Sequence, residues 1–220
     1  IRDIVTSLSG SQAGSEAAKV EHLFAAFSDV EAINAHGVEP LAPLLAEIAQ
    51  ISSIQELLDY FGRSSRRGTG SPFGLEVESD PGDPRRYSLF LGQAGIGLPD
   101  EEYYRLPEHA DILAAYRDHI DRMLSLAGLT SSASELIIGL ESAIAALHWD
   151  KVATRDMVAM YNPRSVADLE ETGLPWGRIL GEAGIDTDVV IVMQPSFLPD
   201  LAALLVPSRL EQWKIWAQWM

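Results

Sequence analysis

The sequence predicts a mainly α-helical protein: a multi-helix lobe with one small β-hairpin at about residues 73–93 and a short extra strand at about residues 189–193. Three observations predict this fold class. Apolar residues recur every three or four positions in most segments, which is the spacing of one helix face. A serine followed three residues later by an acidic residue opens several of these segments, as a capping box does. Only two stretches show strand-like apolar runs instead.

The predicted helices follow one another along most of the chain. The first carries an apolar stripe and is expected to stop at Gly37, and residues 63–72 are expected to form a loop. The stripe of this first helix consists of Val20, Leu23, Phe24 and Phe27. The second helix is expected at 40–50, with Pro40 near its start, and the third at about 54–61, between the Ser53–Glu56 capping box and Gly62. The further predicted helices are one marked by Ile112, Tyr116, Ile120, Met123 and Ala127; one opened by Ser132 and Glu135 that carries Leu136, Leu140, Ala143, Ile144 and Leu147; a short one begun by Ser165 and Asp168; and a last one begun by Ser208 and Glu211.

The two strand-like stretches differ in kind. The first, FGLEVESDPGDPRRYSLFLGQ, places two apolar runs around the turn residues 80–84, which is typical of a hairpin. The first strand is expected to carry Leu75 and Val77 along one edge, and the second strand is expected to carry Tyr87, Leu89 and Leu91 on one face. The second, DVVIVMQP, is a short β-branched run that ends before Pro195. We therefore expect a hairpin and one short extra strand among the helices.

Composition excludes several classes of partner and site. The 220 residues carry a formal net charge of −16, whereas nucleic acids and anionic membranes are bound by basic surfaces. There is no cysteine, and therefore no disulfide, thiolate metal site or cysteine nucleophile in these residues. No run of eighteen apolar residues indicates a membrane-spanning helix. We expect no nucleic-acid partner and no membrane segment.

The glycines of LFLGQAGIGLPDEEYY raise the question of a phosphate-binding loop. A dinucleotide fingerprint is Gly-x-Gly-x-x-Gly directly between a strand and a helix, but here the spacing of Gly92, Gly95 and Gly97 is reversed and Pro99 follows. No Lys-Ser or Lys-Thr pair completes a P-loop. We expect a structural turn, packed by Tyr103 and Tyr104, although an enzyme that binds a small molecule through this loop stays an alternative.

No residue pattern in the chain predicts a metal or catalytic site. The five histidines, His22, His36, His109, His119 and His148, form no His-Glu-x-x-His motif. His109 and His119 are expected on one helix about 80° apart, which places them poorly for one metal ion. Asp80 and Asp83 do not have calcium-loop spacing and are expected to be turn residues. We therefore assign no catalytic, cofactor-binding or metal-binding residue to this chain.

Five ordered stretches resemble the neprilysin family of zinc metallopeptidases. GIGLPDEEYY, residues 95–104, is similar to a family signature in which a strand ends in a Gly-Leu-Pro-Asp turn before a tyrosine pair. The other four stretches are KVEHLFAAFSD at 19–29; YRDHIDRMLSLAG at 116–128; LESAIAALHWDKVATRD at 140–156 together with MYNPRSVADL at 160–169, counted as one; and VVIVMQPSFLPDLAALL at 189–205. Together they span nearly the whole chain in the family's order.

The resemblance implies a two-lobed peptidase of which residues 1–220 are the helical lid lobe, with the hairpin inserted at about 72–98. In the family, zinc is held by the two histidines of His-Glu-x-x-His and a downstream glutamate, and the motif's glutamate activates water. No counterpart of these residues occurs here, so we expect the catalytic lobe to lie outside this chain, which would be inactive alone. The lobe's implied role is to cap the cavity and to admit only short peptides.

The resemblance leaves two further questions open. A stand-alone helical interaction domain derived from such a lobe is the alternative function. The absence of cysteine differs from the disulfide-bonded animal members and indicates a bacterial-type protein. Its localisation, in the cytoplasm or exported, stays open, with the cytoplasm slightly favoured.

The final segment, PSRLEQWKIWAQWM, predicts an apolar helix. Leu210, Trp213, Ala217 and Met220 recur at helix spacing, and Ile215, Trp216 and Trp219 widen the apolar surface. Because large exposed apolar patches drive association, we expect part of this surface to be covered by more polypeptide, or by a second copy of the chain at high concentration.

Overall fold

The computed structural model describes residues 1–129 and 133–220. Of the described part, 57% is helical, and it contains twelve α-helices and one small four-stranded sheet, which confirms the mainly α fold class. The helices are α1 (Arg2–Thr6), α2 (Glu16–Ser28), α3 (Val30–His36), α4 (Ala42–Gln50), α5 (Ile54–Arg67), α6 (Glu102–Arg105), α7 (Ala110–Leu126), α8 (Ser134–Ala145), α9 (Val166–Glu170), α10 (Trp176–Glu182), α11 (Phe197–Leu204) and α12 (Leu210–Trp219). The strands are β1 (Phe73–Ser79), β2 (Tyr87–Gln93), β3 (Asn162–Ser165) and β4 (Val189–Val192).

The chain divides into two compact units, Ile1–Leu44 and Leu45–Met220. The first unit contains the first three helices, of which α1 contacts α2. The second contains the sheet and most of the buried apolar side chains. None of the helices in the described ranges is both long enough and apolar enough to cross a membrane.

The sheet has the strand order β1-β2-β4-β3. The predicted hairpin is confirmed, because β1 and β2 pair antiparallel from Phe73 opposite Gln93 to Ser79 opposite Tyr87. The predicted extra strand is β4, which lies parallel to β2. Strand β3, which pairs antiparallel with β4 and contains Pro163, was not predicted from the sequence. A proline is tolerated there because β3 is an edge strand.

The core of the second unit is built on aromatic side chains. Phe61 of α5 contacts both Trp213 and Trp216 of α12 edge-on, with ring centroids 5.8 Å apart in each pair. One face of the sheet adds Leu89 and Val192 to the same apolar cluster. Burial of these side chains fixes α5, α12 and the sheet around one interior.

Several predicted helix boundaries are confirmed by capping contacts. The Ser53 side chain accepts the Glu56 amide at 3.2 Å and starts α5, and the Ser165 side chain accepts the Asp168 amide at 3.1 Å and starts α9. The predicted stop at Gly37 is also confirmed, since α3 ends there with φ +53°. The predicted box at Ser132 and Glu135 lies partly outside the described residues, because Ser132 is one of those left out.

Four boundary predictions are wrong. The first helix is interrupted at Asp29, whose side chain caps α3 by accepting the Ala32 amide at 2.9 Å. Helix α5 does not end at Gly62 but runs to Arg67, so the first half of the predicted loop at 63–72 is helix. His109 precedes α7 rather than sharing it with His119. The last helix starts after a 3₁₀ turn at Pro207–Arg209, and no side-chain cap from Ser208 starts it.

Gly62 has a packing role instead of ending a helix. It lies at the contact of α5 with α10, where a Cβ atom would lie 2.5 Å from the Ile179 carbonyl oxygen and 2.7 Å from Glu182 Cβ. The same pair of helices is joined by the ion pair of Asp59 with Arg178. The absence of a side chain at position 62 lets the two helices approach this closely.

Replacing Gly62 with alanine is therefore expected to lower the free energy of unfolding by about 1–3 kcal/mol, because the added methyl group would overpack the contact. Gly139→Ala is the matched control, since its Cβ would meet nothing nearer than Gln212 Nε2 at 3.9 Å. In the middle of α8, that change should raise stability by about 0.5–1 kcal/mol. Urea denaturation of the three proteins measures both effects. A stabilising Gly62→Ala substitution would contradict the packing role.

Candidate functional site

The glycine stretch forms a tight corner between β2 and α6. Gly95 has φ +92°, and a Cβ atom there would lie 2.9 Å from Pro72 Cα. At Gly97 a Cβ atom would overlap the Tyr116 hydroxyl. Both positions therefore exclude a side chain, one by conformation and both by close packing.

The Tyr104 hydroxyl lies at the centre of this corner. It accepts the amides of Gly97 at 3.1 Å and Leu98 at 3.0 Å, and it donates to the Glu141 carboxylate at 2.7 Å. A phosphate-binding loop needs free backbone amides directed at its ligand. Because these two amides already donate to Tyr104, the corner has the structural role expected for it, and the geometry argues against a small-molecule enzyme using this loop.

The Glu141 carboxylate is completely buried in α8. Its second oxygen accepts the Tyr116 hydroxyl at 3.1 Å, and Trp219 Nε1 donates to Tyr116 at 2.9 Å. Burial raises the pKa of Glu141, and burial together with the neighbouring carboxylate raises the pKa of Tyr104 and of Tyr116. One carboxylate therefore connects the corner with α7, α8 and α12.

Glu141 was not predicted as a buried residue, although the sequence contains a signal for it. Ile137, Glu141 and Ile144 recur at helix spacing, so the glutamate lies on the apolar stripe of α8. A charged residue on a buried stripe predicts a hydrogen-bonded partner in the interior. Nothing in the spacing showed that the partners would be two tyrosines.

A crevice of about 330 Å³ lies beside the corner. The Gln93 side chain binds the Trp149 backbone through both of its polar atoms, at 3.0 Å and 2.7 Å, and His148 Nε2 lies 3.0 Å from the Ala94 carbonyl oxygen. Burial lowers the pKa of His148, and Lys151 is paired with Glu102 at 2.6 Å. The polar groups at the crevice thus have partners within the fold.

Asp80, His109 and His119 also have structural contacts. The Asp80 carboxylate accepts the Tyr161 and Ser88 hydroxyls at 2.7 Å and 2.8 Å, and these bonds, with those of Arg86 and Gly82, hold the pKa of Asp80 well below its usual range. Asp80 is a turn residue, as predicted, because its carbonyl oxygen accepts the Asp83 amide at 3.1 Å. His109 and His119 contact aromatic rings, those of Tyr103 and Trp219 respectively.

Zinc does not fit the donors present. Among residues 1–129 and 133–220, no three histidine, aspartate or glutamate side chains are grouped so that they could hold a metal ion. A protein zinc site needs at least three such ligands on one centre.

The C-terminal helix differs from the expectation of an exposed apolar surface. Trp213, Trp216 and Ala217 are buried, and Trp213 Nε1 donates to the Leu204 carbonyl oxygen at 3.0 Å. The expectation that Trp216 is available to a partner is wrong, because this side chain belongs to the core. Self-association stays a prediction.

Residues 1–220 match, over the whole chain, the N-terminal family model described as peptidase family M13. The chain belongs to peptidase family M13. The resemblance to neprilysin-like zinc metallopeptidases is thereby confirmed. A search of curated proteins gave no match.

Solved structures of M13 peptidases share the fold. The crystal structure of the Mycobacterium tuberculosis zinc metalloprotease Zmp1 with an inhibitor superposes with a TM-score of 0.88 at 37% identity, covering 99% of this chain and 35% of that one. Zmp1 in its open state gives 0.86 at 36% identity, covering 99% and 36%. PepO from Lactobacillus rhamnosis HN001 gives 0.80 at 21% identity, covering 99% and 36%, which shows the fold alone. The chain thus spans 35–36% of the length of these structures.

The raised pKa of Glu141 predicts a specific pH dependence. A carboxyl group whose pKa is higher in the folded than in the unfolded state binds more protons when folded, so its stabilising contribution is present below the unfolded value of 4.5 and is lost as pH rises through the folded pKa. Glu141→Gln removes this titration. The unfolding free energy of the wild type minus that of the variant should therefore fall as pH rises above 4.5 and through the folded pKa of Glu141. Urea denaturation at a series of pH values from 4.5 upwards measures this difference in unfolding free energy. A difference that stayed constant or rose with pH would contradict the burial of an ionisable Glu141.

Proposed function

We propose that residues 1–220 are the non-catalytic helical lid lobe of an M13 zinc metallopeptidase, and that this lobe caps the central cavity and limits access to short peptides. The observation that carries the proposal is the match to family M13 over the whole chain, together with 99% coverage of this chain but only 35% of Zmp1 at 37% identity. The described donors form no zinc site, which is compatible with chemistry performed by another part of the polypeptide.

In this proposal the complete protein hydrolyses peptides with zinc-activated water. The metal would supply a Lewis acid and a low-pKa water, on ligands outside these residues. The second unit of the lid lobe contributes a rigid wall, held by its buried aromatic core and by the Glu141 network. Rigidity suits this role because a wall that deformed readily would also admit folded proteins.

Purified residues 1–220 are expected to bind no stoichiometric zinc and to cleave no peptide. The complete gene product is expected to bind zinc and to cleave peptides. Metal analysis after purification without chelator, and a peptide cleavage assay with and without chelator, measure these properties. Cleavage by the complete protein should be faster for a short peptide than for the same sequence inside a folded domain.

Two results would contradict this proposal. One tightly bound zinc per 220-residue chain, lost on substitution of His109 or His119, would place a metal site where we assign none. A complete gene product without zinc or peptidase activity would favour the alternative, a stand-alone helical interaction domain.

A further inference from the structure

The first unit, Ile1–Leu44, buries almost none of its apolar side chains. Ala18 is its one buried residue. The large apolar side chains that it leaves exposed are Ile1, Ile4, Val20, Leu23, Phe24, Phe27, Val30, Ile33, Val38 and Leu41. Short helices are marginal in water without a packed apolar face, so a unit of this kind requires a partner surface.

The exposed apolar residues of α2 and α3 recur at helix spacing. At 100° per residue, Val20, Leu23, Phe24 and Phe27 lie within one side of α2, and Phe27 is 84% exposed. Beyond the break at Asp29, α3 presents Val30 and Ile33, which are 63% and 50% exposed. We call these six side chains the α2–α3 stripe. Apolar residues repeated at this spacing are typical of a helix face that packs against another element.

We infer that the α2–α3 stripe is the surface on which the rest of the same polypeptide, outside these 220 residues, packs; this inference rests on the proposed function. Zmp1 is 37% identical and is covered to only 35% of its length by this chain, so most of the relative's polypeptide lies beyond the match. The complete protein therefore has ample chain with which to cover the stripe.

Charge favours this occupant over a second copy of the chain. Residues 1–44 contain six acidic side chains, Asp3, Glu16, Glu21, Asp29, Glu31 and Glu39, against two basic ones, Arg2 and Lys19. Two copies meeting through the stripe would bring these acidic residues together, which is unfavourable. The surface that fits is an apolar helix face bordered by basic side chains.

The absence of cysteine from these residues allows a direct test. Single cysteines are introduced into the complete polypeptide at Phe27, at Leu23 as a second stripe position, and at Ala25 as the control. Ala25 is exposed and lies about 160° around α2 from both stripe positions. The measured quantity is the rate of reaction with a maleimide, relative to the rate for the same variant unfolded in urea and corrected for any cysteines elsewhere in the polypeptide.

Phe27→Cys and Leu23→Cys should react at least tenfold more slowly in the folded polypeptide than when unfolded, and Ala25→Cys within about threefold. Equal reactivity at positions 25 and 27 would overturn the inference. Protection that disappears on dilution would also overturn it, because a second copy would then be the occupant. Zinc content and peptide cleavage are measured on the same preparations. Protection that persists in a polypeptide without peptidase activity would support the inference while overturning the proposed function.

Discussion

The buried carboxylate of Glu141 is the constraint on which the architecture of the second unit depends. An unpaired carboxylate in an apolar interior is costly, so its two oxygens must receive hydrogen bonds. They receive the hydroxyls of Tyr104 in α6 and Tyr116 in α7, two helices that both precede α8 in sequence. Tyr104 in turn binds the amides of the glycine corner, and Tyr116 binds Trp219 of α12. Satisfying one buried charge therefore fixes the relative positions of the corner, α7, α8 and α12.

This network explains why the corner has its residues. Gly97 approaches the Tyr116 hydroxyl too closely for any side chain, and Gly95 has a backbone conformation that glycine adopts readily. The tyrosine pair then closes the turn, with Tyr104 on the amides and Tyr103 stacked on His109 at 4.3 Å. The motif that first indicated a ligand loop is thus a device for packing a strand end against three helices. The backbone amides of Gly97 and Leu98 donate to a tyrosine hydroxyl of the same protein and not to a ligand.

Local signals in the sequence predicted local structure well. Ser53 and Ser165 cap helices because a side-chain oxygen and an amide three residues later need no tertiary partner. The turn residues between β1 and β2 likewise predicted the hairpin. Predictions were wrong where a distant element decides the outcome. Gly62 continues a helix because α10 packs against it, and β3 forms because β4 is available to pair with it.

The same division applies to function. Family membership followed from ordered motifs that span the whole chain, and the family comparison confirms it. Capping of a cavity and inactivity of the isolated lobe stay proposals, because both depend on the whole proposed peptidase and not on residues 1–220 alone. The exposed stripe on α2 and α3 was visible in the sequence as Val20, Leu23, Phe24 and Phe27. Without the structure, nothing distinguished it from the buried stripes of α7 and α8.

A double-mutant cycle between Tyr104→Phe and Glu141→Leu tests the central role of the carboxylate most directly. Residues that share one hydrogen-bond network show coupling energies of about 0.5–3 kcal/mol, whereas distant residues are additive within about 0.5 kcal/mol. We expect a coupling of at least about 1 kcal/mol between Tyr104 and Glu141 in urea denaturation at neutral pH. The cycle of Tyr104→Phe with Tyr161→Phe, whose hydroxyl binds Asp80 instead, should be additive. Additivity in the Tyr104–Glu141 cycle would contradict the account, because the corner would then be held without the buried carboxylate.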